Sequence, residues 1–599
     1  MPMGIGLGIG VTRGGGVGWW PVGSALSFEF DNQRGFNSID RTKTTPDSIL
    51  TYTNPSAKLV YGSDGVLRYA PHNLVRAMNA IPTSGIATAY WFTQISTTDG
   101  VSMTETDGPT VTPSGQFGNL KAINITTAAG FTYRVSGDVF VVSGNTSLHI
   151  LHENSATGNQ TSISGTVGQW VAFTVDVLGV TGGGVISAGI QDRNAAGLGS
   201  FKIRKLSVQL VPNASTFLQN NTTAAVYSLP IDHNPTTFEP LGVLIEEQRV
   251  NLFTYSEQAA QWGPSNSTTD PNVATAPDAQ LTGDRIIATT SSGYVFRQIS
   301  CTAGLSYTQS IYLKKDDQRY VSLVFAGTAF TGGNFAFFDI EAGIVVSVEA
   351  SITATIQDVG NGWFRCSATK TAANTATGDF RNQVTGASWV TGTADSWFVW
   401  GWQLEAGSFP TSYVPTVASQ VTRLADQVSI LTSAFAWENA TGTFYVDANV
   451  LTKSSGASGY FAACAGLGGN SNTHNLYRNA NVSEELQIRS GNSTVAIISS
   501  AGATGSVKMA YAYAVDDYAI SKNGGAVGTD PLGPVPVGVD RIQFGTVAGG
   551  NYSNGTIKRL TYFPTRRTNA DLQVLTRGDD LVWGAGDYLV WGSGNNLTW

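Results

Sequence analysis

Charge is what this sequence has least of. Only 13% of its 599 residues are Asp, Glu, Lys or Arg, against roughly 25% in an ordinary soluble domain. Exposed helix faces draw on Lys, Glu and Arg, so the shortage argues against long helices as the main element. Cysteine is nearly absent. Cys301, Cys366 and Cys464 are an odd set with no CxxC, which argues against a disulfide framework or a cysteine zinc site and fits folding in a reducing compartment. No Lys/Arg stripe alternates with aromatics, and the net charge is −8, so nucleic acid is not the expected partner. The opening MPMGIGLGIG lacks the basic start and continuous apolar stretch of a signal peptide or membrane span. GxSxG, Walker A and HExxH strings are all missing, and no cofactor is implied.

Turn formers and strand formers are plentiful instead. Glycine numbers 69, and apolar residues make up 42% with 10% aromatic. That is enough for several packed cores, and it argues against gross disorder. Short strands joined by Gly, Asn, Ser and Asp turns are the expected elements. The length suits about three to five domains. The expected fold class is all-β: tandem β-sandwich (jelly-roll) modules plus a further sandwich, with extended arms at both ends. A mildly acidic surface bearing Asn, Thr and Trp suits neutral glycans.

Residues 1–20 read as a Gly-rich arm. Ile5, Leu7 and Ile9 alternate with glycines, which puts the three on one face of an extended strand. Such a peptide either docks on another protein by strand pairing or is a flexible tail. Residues 21–75 read as short strands and linker, ending in YGSDGVLRYAPHNL (61–74). An internal repeat follows. GFTYRVSGDVFVV (130–142), VGQWVAFTVDV (167–177) and GSFKIRKLSVQLVPNASTF (199–217) correspond in order and spacing to GLSYTQSIYLKK (304–315), VGNGWFRCSATK (359–370) and DSWFVWGWQLEAGSFPTSYVP (395–415). Two diverged sandwich modules are therefore expected, at 76–235 and 236–425. A different sandwich is expected over 426–577, with a short helix from Asn569 to Leu575 capped by Thr568 and Asp571. Residues 578–599 repeat every eight, bringing Trp583, Trp591 and Trp599 to equivalent places. The units cannot bury that face alone, so the tail reads as an assembly device or a glycan-contacting aromatic ladder.

The strings GVLIEEQRVNLFTYSEQ (242–258), GWFRCSAT (362–369) and WGWQLEAGSFPTSYVPT (400–416) resemble the repeated carbohydrate-binding-like module of bacteriophage head-spike and tail-fibre proteins. YGSDGVLRYAPHNL resembles the lead-in of the same proteins. GTIKRLTYFPTRRTNADLQVLT (555–576) is similar to the end of concanavalin (LamG-type) sandwiches. The resemblance implies jelly-roll modules, a virion appendage (tail fibre or head fibre) assembled in the bacterial host cytoplasm and docked on portal, tail or capsid proteins. It also implies homo-oligomers, often trimers, and attachment to a host-surface glycan without catalysis. A depolymerase tailspike would show a long β-helix period, and none is found between 76 and 577. A purely structural decoration or collar protein is the third reading. One position departs from the resemblance: Trp402 stands where a small residue is usual. With Phe398 and Trp400 it would share one strand face, as core or as a contact.

Candidate chemistry is sparse. Adjacent Glu246 and Glu247 point to opposite strand faces, which suits turn or interface hydrogen bonds rather than a paired acid and base. His149, His152 and Glu153 lack the geometry of a metal site. Asp64, Asp316 and Asp317 lack the spaced pattern of a calcium loop. Trp262, Trp363, Trp389 and Trp437 are the candidate platforms for sugar rings, since CH faces stack on aromatic rings; each is also a natural core residue.

Overall fold

The structure, a computed structural model, describes residues 24–577 apart from short internal stretches, with the backbone of 582–583 and 589–590. The arm bearing Ile5, Leu7 and Ile9, and also Trp389, Trp591 and Trp599, lie outside the described residues. Among the described residues, helix is confined to Pro46–Ile49, Asn569–Thr576 and two 3-10 turns. The fold is all-β, built of packed sheets.

Alternation in the sequence becomes alternation in burial. In the strand Thr132–Ser143, Tyr133, Val135, Val139 and Val141 point inward while their neighbours face out, as period-two pleating requires. This strand lies in one five-stranded antiparallel sheet and faces a second that contains Gly118–Thr126 and Val185–Asp192. Leu120, Ile186 and Ile190 of the second sheet fill the space between them. The next sandwich faces two six-stranded sheets across a core of Leu323, Phe380, Trp397 and Trp402.

The repeat is structural in detail. Thr132–Ser143 runs between Trp170–Leu178 and Ser200–Leu210; Ser306–Lys315 runs between Trp363–Thr371 and Ser396–Ala406. Gly130 and Gly304 both take φ +82° at the entry to the central strand, a conformation open to glycine. Three residues on, the hydroxyl of Tyr133 accepts from the Ala128 N–H (2.8 Å), and that of Tyr307 from the Thr302 N–H (2.9 Å). Each module also opens on an Asn-Leu pair. The Asn73 side-chain oxygen accepts from the N–H groups of Val75 and Val208 (3.0 and 3.2 Å), and that of Asn251 from Phe253 and Leu404 (both 3.1 Å).

A bulge corrects the expected facing of the tryptophans. The register of Ser396–Ala406 slips between its partners Ser310 and Tyr312, where Gly401 has φ +63°. One extra residue reverses the parity of all that follows. Trp397, Val399, Trp402 and Leu404 therefore share the sandwich core, while Trp400 points the other way, against Tyr312 and Tyr413. The first module has the same bulge, between partners Ser136 and Asp138, with Lys205 at φ +54°. Gly401→Ala is expected to destabilise by about 2 kcal/mol, because its Cβ would sit 2.9 Å from the Tyr312 ring in a left-handed conformation. Lys205→Gly is expected to stay within about 0.5 kcal/mol of the parent, since relief of the same conformation offsets added chain entropy. Urea unfolding of the two variants checks this pair.

The remaining sandwich is assembled from three parts of the chain. Its nine-stranded sheet combines Thr441–Val450, Gly505–Ala514 and Gly555–Phe563 with Leu26–Glu29 and Pro240–Ile245. Its seven-stranded sheet takes Thr51–Thr53 beside Gln427–Leu431. Residues 21–75 are thus more than the expected linker, because Leu26, Phe28 and Phe30 are fully buried in this core. The chain leaves through His72–Asn73, makes the first module and returns at Val226–Tyr227, which pairs with it. The second excursion is closed by Arg249–Asn251 pairing with Val421–Arg423. The two tandem sandwich modules expected from sequence are present, and the further sandwich is discontinuous, drawing strands from before and between them. The helix Asn569–Thr576 is capped as expected: Thr568 Oγ1 accepts from the Asp571 N–H (3.2 Å) and Asp571 accepts from the Thr568 N–H (3.0 Å).

Candidate functional site

The hairpin Leu59–Tyr61 and Leu67–Tyr69 turns at Asp64 and Gly65, where Asp64 accepts from the Val66 N–H (3.2 Å) and Gly65 has φ +74°. Its apolar face covers Tyr312, Trp363, Trp400 and Tyr413 of the second module. The first module arrives beside it: a Cβ on Gly130 would fall 2.5 Å from Val417. Between the three surfaces lies a cavity of about 260 Å³, edged by Phe131, Tyr69, Trp400, Glu257, Asp278 and Gln280.

Its chemistry is set by two carboxyl groups. Glu257 Oε1 accepts from the Tyr413 hydroxyl (3.0 Å), which also contacts the Ser256 hydroxyl (2.7 Å). Asp278 Oδ1 accepts from the Gln280 N–H (3.0 Å), and its Oδ2 has no side-chain partner. Burial, and then the negative charge of Asp278, push Glu257 up to about 8; burial pushes Asp278 up to about 6. Burial and the nearby Glu257 also raise Tyr69. Trp400 Nε1 donates to Thr282 Oγ1 (3.0 Å). A third carboxylate at the rim, Asp176, is neutralised by Arg134, whose Nε and Nη2 donate to it at 2.8 Å each. Among the described residues, no Lys or Arg lines the cavity.

The tryptophans expected as sugar platforms lie elsewhere. Trp262 is 3% exposed and Trp363 is 0% exposed. Their indole nitrogens donate to the Tyr255 and Thr275 carbonyls (2.8 and 2.9 Å), so both are core residues with no ring face for a ligand. Trp437 is half-buried, stacked on Tyr562 at 4.8 Å. Trp402, the departure from the resemblance, is wholly buried between Phe253 and Trp262. Trp583 lies in a two-residue strand whose partner is Leu589–Val590 of the next octad. His149 and His152 are engaged with the Ser147 carbonyl and the Thr161 hydroxyl (both 3.1 Å). Asp316 and Asp317 both accept from the Ser396 hydroxyl, at 2.6 and 3.4 Å.

No protein-family model matches the chain, and no curated protein matches it. Solved structures do. One is the "Ruminococcus gnavus IT-sialidase CBM40 bound to alpha2,3 sialyllactose", at 18% identity, covering 23% of this chain and 84% of that one, with a TM-score of 0.20. Another is the CBM22-1-CBM22-2 tandem domain from Paenibacillus barcinonensis Xyn10C, at 10% identity over 57% of this chain and 99% of that one (TM-score 0.22). Trypanosoma rangeli sialidase matches at 9% identity over 88% and 98% (TM-score 0.21). At these scores the likeness decides neither site nor ligand.

A second cluster explains the Glu246-Glu247 pair. Lys58, Glu246, Arg423 and Asp426 are each at most 4% exposed. Lys58 Nζ contacts Asp426 and lies 3.1 Å from Glu246, and Arg423 Nη1 donates to Glu246 at 2.6 Å. The Tyr52 hydroxyl and the Glu246 N–H donate to Asp426 (2.9 and 2.8 Å), and Ser412 donates to Glu246 through N–H and hydroxyl (2.7 Å each). Burial alone would raise Glu246, but Arg423, Lys58 and Ser412 hold it at about 2. Glu247 turns away to form an ion pair with Arg249. This is the interface hydrogen-bonding role expected of the pair, although both residues stand just past the strand Pro240–Ile245.

Proposed function

We propose that this chain is a non-enzymatic virion appendage, a tail or head fibre, that attaches to a host-surface polysaccharide through the cavity between its modules. The observation that carries the glycan part is the composition of that cavity. Two carboxyl groups, glutamine and threonine side chains and the edge of Phe131 surround a space that takes one sugar residue, below the roughly 300–1,000 Å³ of sites for drug-sized ligands. Hydroxyl-rich ligands need such oriented acceptors and an apolar edge. The virion part rests on the resemblance of the repeated strings and on the arm at Ile5, Leu7 and Ile9, which would dock on portal, tail or capsid proteins. Trp583, Trp591 and Trp599 would then serve assembly, in a homotrimer.

Gln280 is exposed, and its contact with Asp278 is made by its backbone N–H. Gln280→Trp is expected to close the cavity and weaken binding to host polysaccharide at least tenfold, measured on immobilised glycan with the full chain. Unchanged binding would remove the cavity from the proposal.

A second reading has one observation in its favour. A carboxyl near 8 beside another near 6 is the kind of split that serves acid and base catalysis of glycoside cleavage. Incubation with host polysaccharide followed by a reducing-end assay separates the two. No new reducing ends are expected, and their release would establish a depolymerase.

A further inference from the structure

The cavity's charge says which sugars it takes. Asp278 is 5% exposed, borders the cavity and leaves Oδ2 without a side-chain partner. Glu257 reaches the same space with only one oxygen engaged, by Tyr413. Among the described residues no cation lines the wall to neutralise either group, and the Arg134 guanidinium is committed to Asp176. A buried carboxylate without a positive partner is costly, and an incoming cation removes that cost. An anionic sugar would set a second negative charge beside that of Asp278, with no cation on the wall to offset it. A neutral sugar can accept the proton that one carboxyl retains, but leaves the pair uncompensated. An ammonium group, with three donors and a charge of +1, satisfies both free oxygens with charge-assisted hydrogen bonds.

Resting on the reading of this cavity as a glycan site, we propose that its ligand is an amino sugar with a free, protonated amine, held between Glu257 and Asp278. Sugars carrying carboxylates are excluded by the same two groups. An N-acetylated sugar presents a neutral amide and is bound more weakly.

The test titrates the full chain with glucosamine, N-acetylglucosamine and glucuronic acid at pH 6.5 by calorimetry, with Asp278→Asn alongside. Glucosamine is expected to bind at least tenfold more tightly than N-acetylglucosamine, with no measurable binding of glucuronic acid. Asp278→Asn is expected to remove the preference while the midpoint of its urea unfolding is no lower than that of the parent, since the amide has no proton to lose. Equal or tighter binding of either other sugar, or an unchanged preference in the variant, overturns the proposal. Binding of the neutral sugar without an amine preference would overturn only this inference and leave the glycan site standing. Failure of all three sugars, together with a host polysaccharide that still binds to Gln280→Trp, would overturn the site itself.

Discussion

Lys58→Met is expected to cost about 3–5 kcal/mol of stability, the largest loss predicted for this protein. Lys58 and Arg423 carry two positive charges into a cluster whose acids are Glu246 and Asp426, all out of contact with water. Removing one cation leaves a net negative charge in a low-dielectric junction. It also strips donors from Asp426, from Glu246 and from the Leu244 carbonyl, which Lys58 Nζ reaches at 3.3 Å. Lys58 stands just before the 59–69 hairpin, Glu246 just past the return strand Pro240–Ile245, and Arg423 and Asp426 at and just past the neck of the second module, so the loss falls where the discontinuous sandwich is stitched together. The double variant Lys58→Met, Asp426→Asn restores electrical balance and keeps an acceptor for Tyr52. It is expected to recover roughly 1–3 kcal/mol relative to additivity. Urea midpoints of the parent, both single variants and the double variant measure this coupling. A cycle that closes additively would mean that the four charges act independently.

Much of the fold was legible because it is periodic. The strand Thr132–Ser143 alternates in sequence and in burial, and the repeated strings marked two copies of one module, in each of which the three strands are neighbours in the structure. The cap at Thr568 was legible for a local reason, since the side chain and the N–H that it accepts from lie three residues apart. What escaped was non-local or aperiodic. A bulge has no signature beyond a glycine, and Lys205 occupies the equivalent position without one, so the parity reversal that buries Trp402 and turns Trp400 away could not be read. The pairing of Leu26–Glu29 with Gly555–Phe563 spans nearly the whole chain, and the alternation of Leu26, Phe28 and Phe30 shows a strand without naming its partner. Glu257 and Asp278 stand in two turns of one module, and it is the packing of the other module and the 59–69 hairpin against them that makes a cavity. Tryptophan count drew attention to Trp262 and Trp363, yet in sandwiches this aromatic the large rings are needed inside.

Glu257→Gln is expected to be more stable than the parent at pH 9 by roughly 5 kcal/mol and to match it near pH 4.5. The native protein holds the Glu257 proton up to about pH 8, whereas the unfolded chain releases it near 4.5. Between these values unfolding releases a proton, so the parent loses stability as pH rises through the window, at about 1.4 kcal/mol per pH unit. The contribution is fully present below 4.5 and gone above 8. Burial also raises Asp232 to about 7 and Asp278 to about 6, and both act in the same direction. Burial has the opposite consequence for His72 and His474, held down to about 4 and 3. Their rings stay neutral in the native state while the unfolded chain takes up protons below about 6.5, so that part of the stability falls as pH drops. The two sets separate above pH 6.5, where the histidines no longer titrate in either state and the decline belongs to Asp232 and Glu257. A glutamine keeps the acceptor for the Tyr413 hydroxyl and carries no proton to lose, so the variant's urea midpoint should hold almost level between pH 7 and 9, apart from the small remainder from Asp232, while the parent's falls. If both proteins decline in parallel across that range, Glu257 is ionised in the native state, and the cavity is an open, hydrated groove rather than the desolvated pocket that a bound ammonium requires.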